Sequence, residues 1–302
     1  MHIGGVLRVY HPRVAKALPL LVDSPHSGRV YPDDFGFSCP RQALQVYEDR
    51  FVDLLLSNLP HLGVTTIQAE APRTYIDLNR AVDDIWPMQL RDVWNGPFKL
   101  RPSVNCDRGT GLIWTHAGDQ PIYREAPTSA AVLARIETQY WPYYEVLGRE
   151  VGALKSRFGK VWHLNMHSMP PHTNNGQYDV VLGDLDGTSC DPAFTNAIRQ
   201  AFEANGLSVV LNRPYKGAHL TRTVGQPDQM SESLQIELSK GLYLQNDLIT
   251  LNRDKFMKLQ NVVEAVVMAA AVYAKTELSK TAGNDSINAL SSSAIGTLTP
   301  KA

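Results

Sequence analysis

Two histidines and three carboxylates occupy positions predicted to lie at strand ends or, for two of the carboxylates, on a helix or just before it. They are His26, Glu48, Asp49, His167 and Glu237. Each histidine follows a buried apolar run and precedes turn-forming residues. In open α/β sheets, ligands bind at the carboxyl ends of strands, where such turns gather. Two imidazoles and one carboxylate form a three-ligand zinc set that leaves a fourth position for water. The sequence therefore allows a metal site built from both histidines and one member of the Glu48-Asp49 pair.

A zinc site of this kind would support hydrolysis. Bound zinc lowers the pKa of its water to about 7 and polarises a carbonyl oxygen. A further carboxylate must then take the water proton and return it to a leaving amine. Glu237, at the end of a late predicted strand, is placed for that role. A plainer interpretation stays open, in which the histidines bond loop carbonyls and Asp49 and Glu237 face solvent, because the chain has no HExxH motif.

Three arginines, Arg73, Arg80 and Arg222, lie in segments predicted to be turns or strand ends. The arginine fork donates two parallel hydrogen bonds and suits a carboxylate, although a surface salt bridge is the alternative for each. Asp77 and Asn79 are expected to hold their own loop together, since Asp and Asn readily bond nearby backbone. Polar side chains close to the histidines are candidates for orienting the ligands; they are Asp23, Ser27 and Ser168.

Predicted strands alternate with predicted helices along the chain. Apolar residues recur at helical spacing in 41–59, 128–155, 191–205 and 255–278. Short apolar or alternating runs predict strands at 6–10, 18–22, 64–69, 178–182, 207–211 and 234–238, and a strand that runs into a turn within 161–171. This alternation implies an α/β fold with a largely parallel sheet and helices on both faces. Residues 83–127, rich in Pro, Gly, Asn and Trp, are expected to form long irregular loops.

Length and composition indicate one globular domain. The 302 residues are 43% hydrophobic, and no linker or repeat divides 1–278. Residues 279–302 lose the apolar pattern and are expected to form a disordered tail. With 29 basic and 30 acidic residues, the net charge of −1 gives no reason to propose nucleic acid or an acidic membrane as a partner.

The cysteines and the N-terminal residues bear on cellular location. The three cysteines are far apart and in no zinc spacing, which favours reduced thiols. The first residues lack a basic start and a long apolar core, so no secretory signal is expected. The most apolar late segment is interrupted by Glu264 and is too short to span a bilayer. These features predict a cytoplasmic protein that acts on a small molecule, and they do not indicate an oligomeric state.

Seven short motifs, in order between about residues 18 and 275, resemble the N-formylglutamate amidohydrolase family. They span residues 24–28 (SPHSG), 48–53 (EDRFVD), 72–80 (PRTYIDLNR), 165–170 (NMHSMP), 179–184 (DVVLGD), 212–217 (NRPYKG) and 234–238 (LQIEL). The resemblance implies a zinc-dependent hydrolase related to zinc carboxypeptidases. It also implies a phosphorylase/hydrolase-like three-layer αβα fold with a mostly parallel mixed sheet. Such enzymes cleave N-formyl-L-glutamate to formate and L-glutamate in one route of histidine degradation.

The resemblance also implies roles for individual residues. One zinc ion, with other divalent metals as alternatives, would be held by His26, His167 and Asp49, which we prefer to Glu48. Glu237 matches the family's late glutamate and is the expected general base, while the three arginines are expected to bind the substrate carboxylates. The chain departs from the family at Tyr144, where a histidine is usual, and in the turn 216–219. The alternatives are hydrolysis of another N-acyl amino acid or a peptidoglycan-type amide, or a metal- or small-acid-binding protein without catalysis.

Overall fold

The computed structural model describes residues 1–14, 16–171 and 178–294, with side chains up to Lys280. In this part of the chain the strands are β1 (His2–Ile3), β2 (Leu7–Tyr10), β3 (Leu20–Ser24), β4 (Thr65–Ala69), β5 (His116–Ala117), β6 (Gln120–Pro121), β7 (Val161–Met169), β8 (Val180–Gly183), β9 (Val209–Leu211) and β10 (Ser231–Ser239). The α-helices are α1 (Arg41–Gln45), α2 (Val52–Leu55), α3 (Val104–Asp107), α4 (Ser129–Arg135), α5 (Trp141–Phe158), α6 (Pro192–Ala204), α7 (His219–Val224) and α8 (Arg253–Ala294). A π-helical segment, Ile136–Tyr140, joins α4 to α5.

Eight strands form one mixed sheet in the order β1-β2-β4-β3-β7-β10-β8-β9. The central strands β4, β3, β7 and β10 run parallel to one another, and β9 runs parallel to β8. Antiparallel pairs join β1 to β2, β2 to β4 and β10 to β8. The predicted α/β fold with a mostly parallel mixed sheet is confirmed.

Helices cover both faces of this sheet and thereby bury its central strands on both sides. Leu20 and Val22 pack on the face covered by α2, α6 and α8. Leu21 lies in the cluster on the opposite face, with residues of α4, α5 and α7. Side chains alternate between faces along a strand, so Asp23, His163 and Asn165 lie on the α5 side. Buried polar groups therefore replace apolar ones in the middle of that face.

The prediction of one continuous helix over 41–59 was wrong. The structure divides it into α1, a turn and α2, and Leu59–Leu62 follows as a 3-10 turn. Phe51 adopts a left-handed conformation with φ 66°, which interrupts helical hydrogen bonding. As a result Glu48 and Asp49 lie in a turn rather than on a helix, and the turn can point the two carboxylates in different directions.

The last helix, α8, differs from its predicted end at Leu278, since its backbone stays helical to Ala294. The extra stretch contains no proline to stop it. Residues 295–302, the end of the tail predicted to be disordered, lie outside the described residues, and the assignment of 1–278 to one domain stays a prediction. Over Arg253–Lys280, α8 is apolar enough to cross a membrane. Its apolar side is buried in the core, through Leu259, Val263, Val266, Ala270 and Ala274.

A candidate metal centre at the ends of the central strands

Three side chains from distant parts of the chain meet at one point. His26 follows β3, Asp49 lies in the turn between α1 and α2, and His167 lies near the end of β7. One potential ligand atom from each lies within 4.8 Å of the others, and all three residues are buried. Asp49 Oδ2 is 3.1 Å from His167 Nδ1 and 3.5 Å from His26 Nδ1. This group could hold a metal ion.

The ring nitrogen Nε2 of His26 already has a hydrogen-bond partner. It lies 2.7 Å from Asp77 Oδ1. Burial alone would raise the pKa of Asp77, but the imidazole of His26 and the guanidinium of Arg73 hold that pKa well below its usual range. An ionised Asp77 accepts a hydrogen bond, so the proton of a neutral His26 ring sits on Nε2. The buried Nδ1, which makes no hydrogen bond within the described chain, faces Asp49 as an electron-pair donor.

The ring of His167 is fixed by a side-chain relay that runs into the protein interior. Asn165 Nδ2 donates to Asp23 Oδ1 at 2.6 Å, which turns the amide oxygen of Asn165 toward His167 Nε2 at 2.7 Å. Asn79 Nδ2 is also 3.1 Å from this Nε2, but the shorter contact to an acceptor oxygen requires the proton on Nε2. In the neutral ring the lone pair is therefore on Nδ1, which faces Asp49.

Asp23, the anchor of this relay, is fully buried and held by several donors. The hydroxyl of Tyr143 donates to its Oδ2 at 2.7 Å, and His163 Nε2 lies 3.0 Å from its Oδ1. Burial would raise the pKa of Asp23, whereas His163, Asn165 and Tyr143 lower it below its usual value. Asp23 thus stays a carboxylate and keeps the Asn165 amide in the orientation that sets the His167 tautomer.

The donor set fits a metal ion on chemical grounds. Burial would raise the pKa of Asp49, but its contacts with His167 and His26 hold that pKa well below the usual range, so Asp49 is ionised. Because both Nε2 atoms already have acceptors, a metal ion would displace the Nδ1 protons that these contacts with Asp49 use, and two imidazole lone pairs and one carboxylate would then converge on it. Hydrogen bonding of the non-ligating ring nitrogen to a carboxylate or amide oxygen is the usual support of a metal-bound histidine.

The geometry of the turn distinguishes Glu48 from Asp49 as the candidate acidic ligand. Glu48 contacts the hydroxyl of Tyr31 and accepts a hydrogen bond from Arg50 Nη1 at 2.9 Å. Asp49 points the other way, toward both histidines, and its backbone N–H donates to the carbonyl of His26 at 3.0 Å. Of the pair, the structure brings Asp49 to the histidines.

The other residues expected to orient the ligands divide into two kinds. Ser168 Oγ donates to Asp49 Oδ1 at 3.1 Å, and Asp23 reaches His167 through Asn165. Ser27 instead places its hydroxyl 3.4 Å from the carbonyl of Ser24. Asp77, expected only to hold its own loop, supports His26 directly. Asp77 and Asn165 are the functional residues that sequence reasoning missed, although Asn165 shares a strand face with His167 at spacing i, i+2.

Glu237 lies beside this group because of strand register. In the parallel pair of β7 and β10, Glu237 is the direct neighbour of His167, and both side chains point to the same face. Its Oε1 accepts a hydrogen bond from Gln235 Nε2 at 2.9 Å. Burial raises the pKa of Glu237 to about 7, with Asp49 adding to the rise and His167 and Arg73 opposing it. A carboxyl group with a pKa near neutrality is suited to both accepting and donating a proton.

A cavity of about 720 Å³ opens over these groups. Arg73 and Arg80 line it together with His26, His167 and Glu237. Arg80 donates from Nε to the carbonyl of Thr110 at 3.1 Å and makes no ion pair with a carboxylate of the described residues, although its charge helps to lower the pKa of Asp77. Arg222 differs from the expectation: it is exposed on α7 and is not among the described residues that line the cavity.

Lys240 is a third residue that sequence reasoning missed. It lines the same cavity, is only 2% exposed, and donates from Nζ to the carbonyl of Val46 at 2.5 Å. Burial lowers the pKa of Lys240 to about 8, although Asp49 opposes the shift. It follows Glu237 by three residues at the end of β10, where the strand pattern stops and gives no signal of an inward side chain.

We expect Asp77→Asn to lower metal affinity by about 10- to 100-fold, since supporting partners of metal-bound histidines contribute about that much. An asparagine at this position no longer favours the proton on Nε2 of His26. The measurement is competition for the metal against a chelator of known affinity. Asp228→Asn, at an exposed aspartate, is the matched control and should bind metal like the parent protein. Equal metal affinity in both variants would show that Asp77 does not support the site.

Comparison with known proteins gives a consistent result. The sequence model of the N-formylglutamate amidohydrolase family matches residues 18–244. The N-formylglutamate deformylase of Pseudomonas putida is 29% identical over 262 residues, which are 83% of this chain and 92% of the relative. That of Pseudomonas aeruginosa is 32% identical over 237 residues, 75% of this chain and 82% of the relative. The crystal structure of N-formylglutamate amidohydrolase from Ralstonia eutropha JMP134 superposes with a TM-score of 0.83 at 37% identity, covering 90% of this chain and 98% of that one.

Proposed function

The chain belongs to the N-formylglutamate amidohydrolase family and is a hydrolase of amide bonds, and we propose that it converts N-formyl-L-glutamate and water to formate and L-glutamate. We propose further that it requires one divalent metal ion, zinc first, held by His26, Asp49 and His167. The observation that carries the proposal is the convergence of two imidazole Nδ1 atoms on one buried carboxylate oxygen, with Glu237 in register beside His167.

The chain's own residues would handle the proton. When bound, a zinc ion supplies positive charge that polarises the amide carbonyl and lowers the pKa of water. Glu237 accepts one proton from the attacking water and delivers it to the nitrogen as the carbon–nitrogen bond breaks. Asp77 and Asn165 keep the two imidazoles in the tautomer with the proton on Nε2. The amine leaves with the proton that the water lost, and the acid proton of the formic acid passes to that amine, which gives formate and the ammonium form of L-glutamate.

Arg73 and Arg80 are the proposed anchors for the substrate carboxylates. N-formyl-L-glutamate carries two carboxylates, and the fork of a guanidinium binds a carboxylate through two parallel hydrogen bonds. Arg73 pairs with Asp77 at 2.9 Å, which neutralises part of its charge. Arg80 has no such partner within the described chain, so it is the stronger anchor of the two. Arg222, exposed and away from the cavity, is not part of the proposal.

Replacing Arg80 by alanine should therefore lower kcat/KM by about 10- to 100-fold, the range that follows from losing a hydrogen-bonded charge pair worth about 1.5–3 kcal/mol. Most of the loss should appear in KM, since Arg80 holds the substrate before and during the reaction alike. Arg222→Ala is the matched control and should leave both constants within about twofold. Steady-state kinetics on N-formyl-L-glutamate measures both, and a larger effect at Arg222 would contradict this assignment.

A panel of N-acyl amino acids assayed with zinc present tests the substrate. The turn 216–219, which departs from the family pattern, places Lys216 and Gly217 at the cavity and could change the preferred acyl group. We expect N-formyl-L-glutamate to give the highest kcat/KM, ahead of N-acetyl-L-glutamate and N-formyl-L-alanine. Preference for another N-acyl amino acid would keep the chemistry and change the substrate, whereas no turnover of any member would favour a binding protein.

We also propose that the protein works in the cytoplasm on a small molecule, without nucleic acid or membrane as partner. The near-zero net charge supports this, as do three cysteines that are all buried free thiols. Reduced cysteines are usual in the cytosol.

A further inference from the structure

A second cavity, of about 510 Å³, lies on the other side of the sheet from the candidate metal centre. Its floor is formed by β2 and β4, whose residues Arg8, Thr66 and Gln68 line the cavity. Thr66 pairs in register with Val22, whose side chain belongs to the core on the α2, α6 and α8 side. In-register neighbours point to the same face, so this cavity is separate from the one that contains Glu237.

Only some of the charged groups that line this cavity are paired with one another. Two carboxylates and three arginines line it: Arg8, Arg13, Arg29, Asp53 and Glu70. Asp53 accepts two hydrogen bonds from Arg29, both at 2.8 Å. Glu70 accepts from Arg8 Nε at 2.5 Å and from the backbone N–H of Gly5 at 2.7 Å. Both acceptors are therefore satisfied, while Arg13 makes no ion pair within the described residues.

A buried hydroxyl adds to the unused donors. Thr66 is fully buried, and its Oγ1 has no hydrogen-bond partner in the described part of the chain. Buried polar atoms nearly always have a partner. The unpaired groups at the cavity are thus a guanidinium and a hydroxyl, and both can donate to the same kind of ligand atom, an acceptor oxygen.

We propose that this cavity is a second ligand site, which binds a small anion through a carboxylate or phosphate group. Arg13 would supply the charge-assisted hydrogen bonds, and the Thr66 hydroxyl would contact a further oxygen. The volume lies within the range of sites for small molecules. The loop that follows His26 contributes Ser27 and Gly28 to the cavity wall, so a bound anion touches the segment that carries one of the candidate metal ligands.

The loop between the two cavities is tightly packed. A side chain on Gly28 would come within 2.0 Å of the carbonyl oxygen of Ala71, and the N–H of Val30 donates to the carbonyl of Glu70 at 2.9 Å. The backbone at Gly28 therefore lies directly against the segment 70–71.

Isothermal titration calorimetry of the full chain with succinate and with inorganic phosphate tests the proposal, at an ionic strength held constant with chloride. Arg13→Ala removes an exposed side chain and should weaken binding of the preferred anion by at least about tenfold. Thr66→Val keeps the shape and should weaken it by a smaller factor. Arg91→Ala, another exposed arginine, is the matched control and should bind like the parent protein.

Arg80→Ala distinguishes the two cavities, because it weakens anion binding at the candidate metal centre only. Binding that survives Arg80→Ala and is lost in Arg13→Ala supports the second site, and the tighter probe identifies carboxylate or phosphate as the preferred group. Equal affinity in the parent protein, Arg13→Ala and Thr66→Val would overturn the proposal. So would binding abolished by Arg80→Ala, or no binding of either probe by the parent protein at concentrations up to about 10 mM, weaker than the affinities usual for small ligands.

Discussion

Glu237→Gln should lower kcat for N-formyl-L-glutamate hydrolysis by about 10²- to 10⁴-fold, the range that a positioned general base contributes. The glutamine keeps the shape of the side chain and its contact with Gln235 but cannot take a proton. Because Glu237 lies next to His167 without belonging to the group of three converging ligand atoms, the variant should keep its metal. Kinetics together with metal analysis of the purified protein give both results. Glu145→Gln, at an exposed glutamate of α5, is the control and should keep full activity.

The same variant has a second readout in the metal-free protein. The folded-state pKa of Glu237, about 7, is above its ordinary value of 4.5, so its contribution to stability is fully present below the ordinary value. That contribution is lost as the pH rises from 4.5 through about 7, because the buried group must then ionise. Metal-free Glu237→Gln should therefore lose less thermal stability than the metal-free parent between pH 5 and pH 8. Loss of metal from the variant at neutral pH would instead place Glu237 among the ligands.

Asp49→Asn should lower metal affinity by at least about a hundredfold, more than the loss of a supporting partner, and abolish turnover at ordinary metal concentrations. The substitution removes the negative charge on which His26 Nδ1 and His167 Nδ1 converge. Glu48→Gln, at the adjacent residue, is the matched control, because Glu48 contacts Tyr31 and Arg50 instead of the histidines.

Comparison of Asp49→Asn with Glu48→Gln tests which of these two adjacent carboxylates is the acidic ligand. We expect Glu48→Gln to bind metal like the parent protein, with any loss confined to thermal stability. Retention of metal by Asp49→Asn together with its loss from Glu48→Gln would reverse the assignment. Equal metal binding by both variants would remove the acidic pair from the site.

Much of the architecture could be predicted from periodicity. The strand ends at His26 and His167 were visible because each apolar run stops at turn-forming residues. The helix 191–205 was predictable because Asp191 caps α6 and Gly206, with φ 79°, follows its end. These signals are local, and they fixed which polar residues reach the carboxyl edge of the sheet.

The parts that escaped prediction depend on contacts between distant residues. No local pattern shows that Phe51 leaves the helical conformation or that Asp49 faces the two histidines. The partnership of Glu237 with His167 depends on the register of two strands far apart in the sequence. Residue type alone groups Arg222 with Arg73 and Arg80, whereas the structure exposes Arg222 on α7. Support of His26 by Asp77 required the fold, because the two residues are 51 positions apart in the sequence.

Removal and return of the metal tests the central claim most directly. The purified full chain is stripped with a chelator, metal content is measured, and hydrolysis of N-formyl-L-glutamate is followed before and after zinc is added in equimolar amount. The structure leads us to expect one zinc ion per chain, less than about 1% of the activity in the stripped protein, and recovery on addition, since removal of the metal withdraws its whole catalytic contribution. Full activity in protein that contains no metal and is kept in chelator would contradict the account.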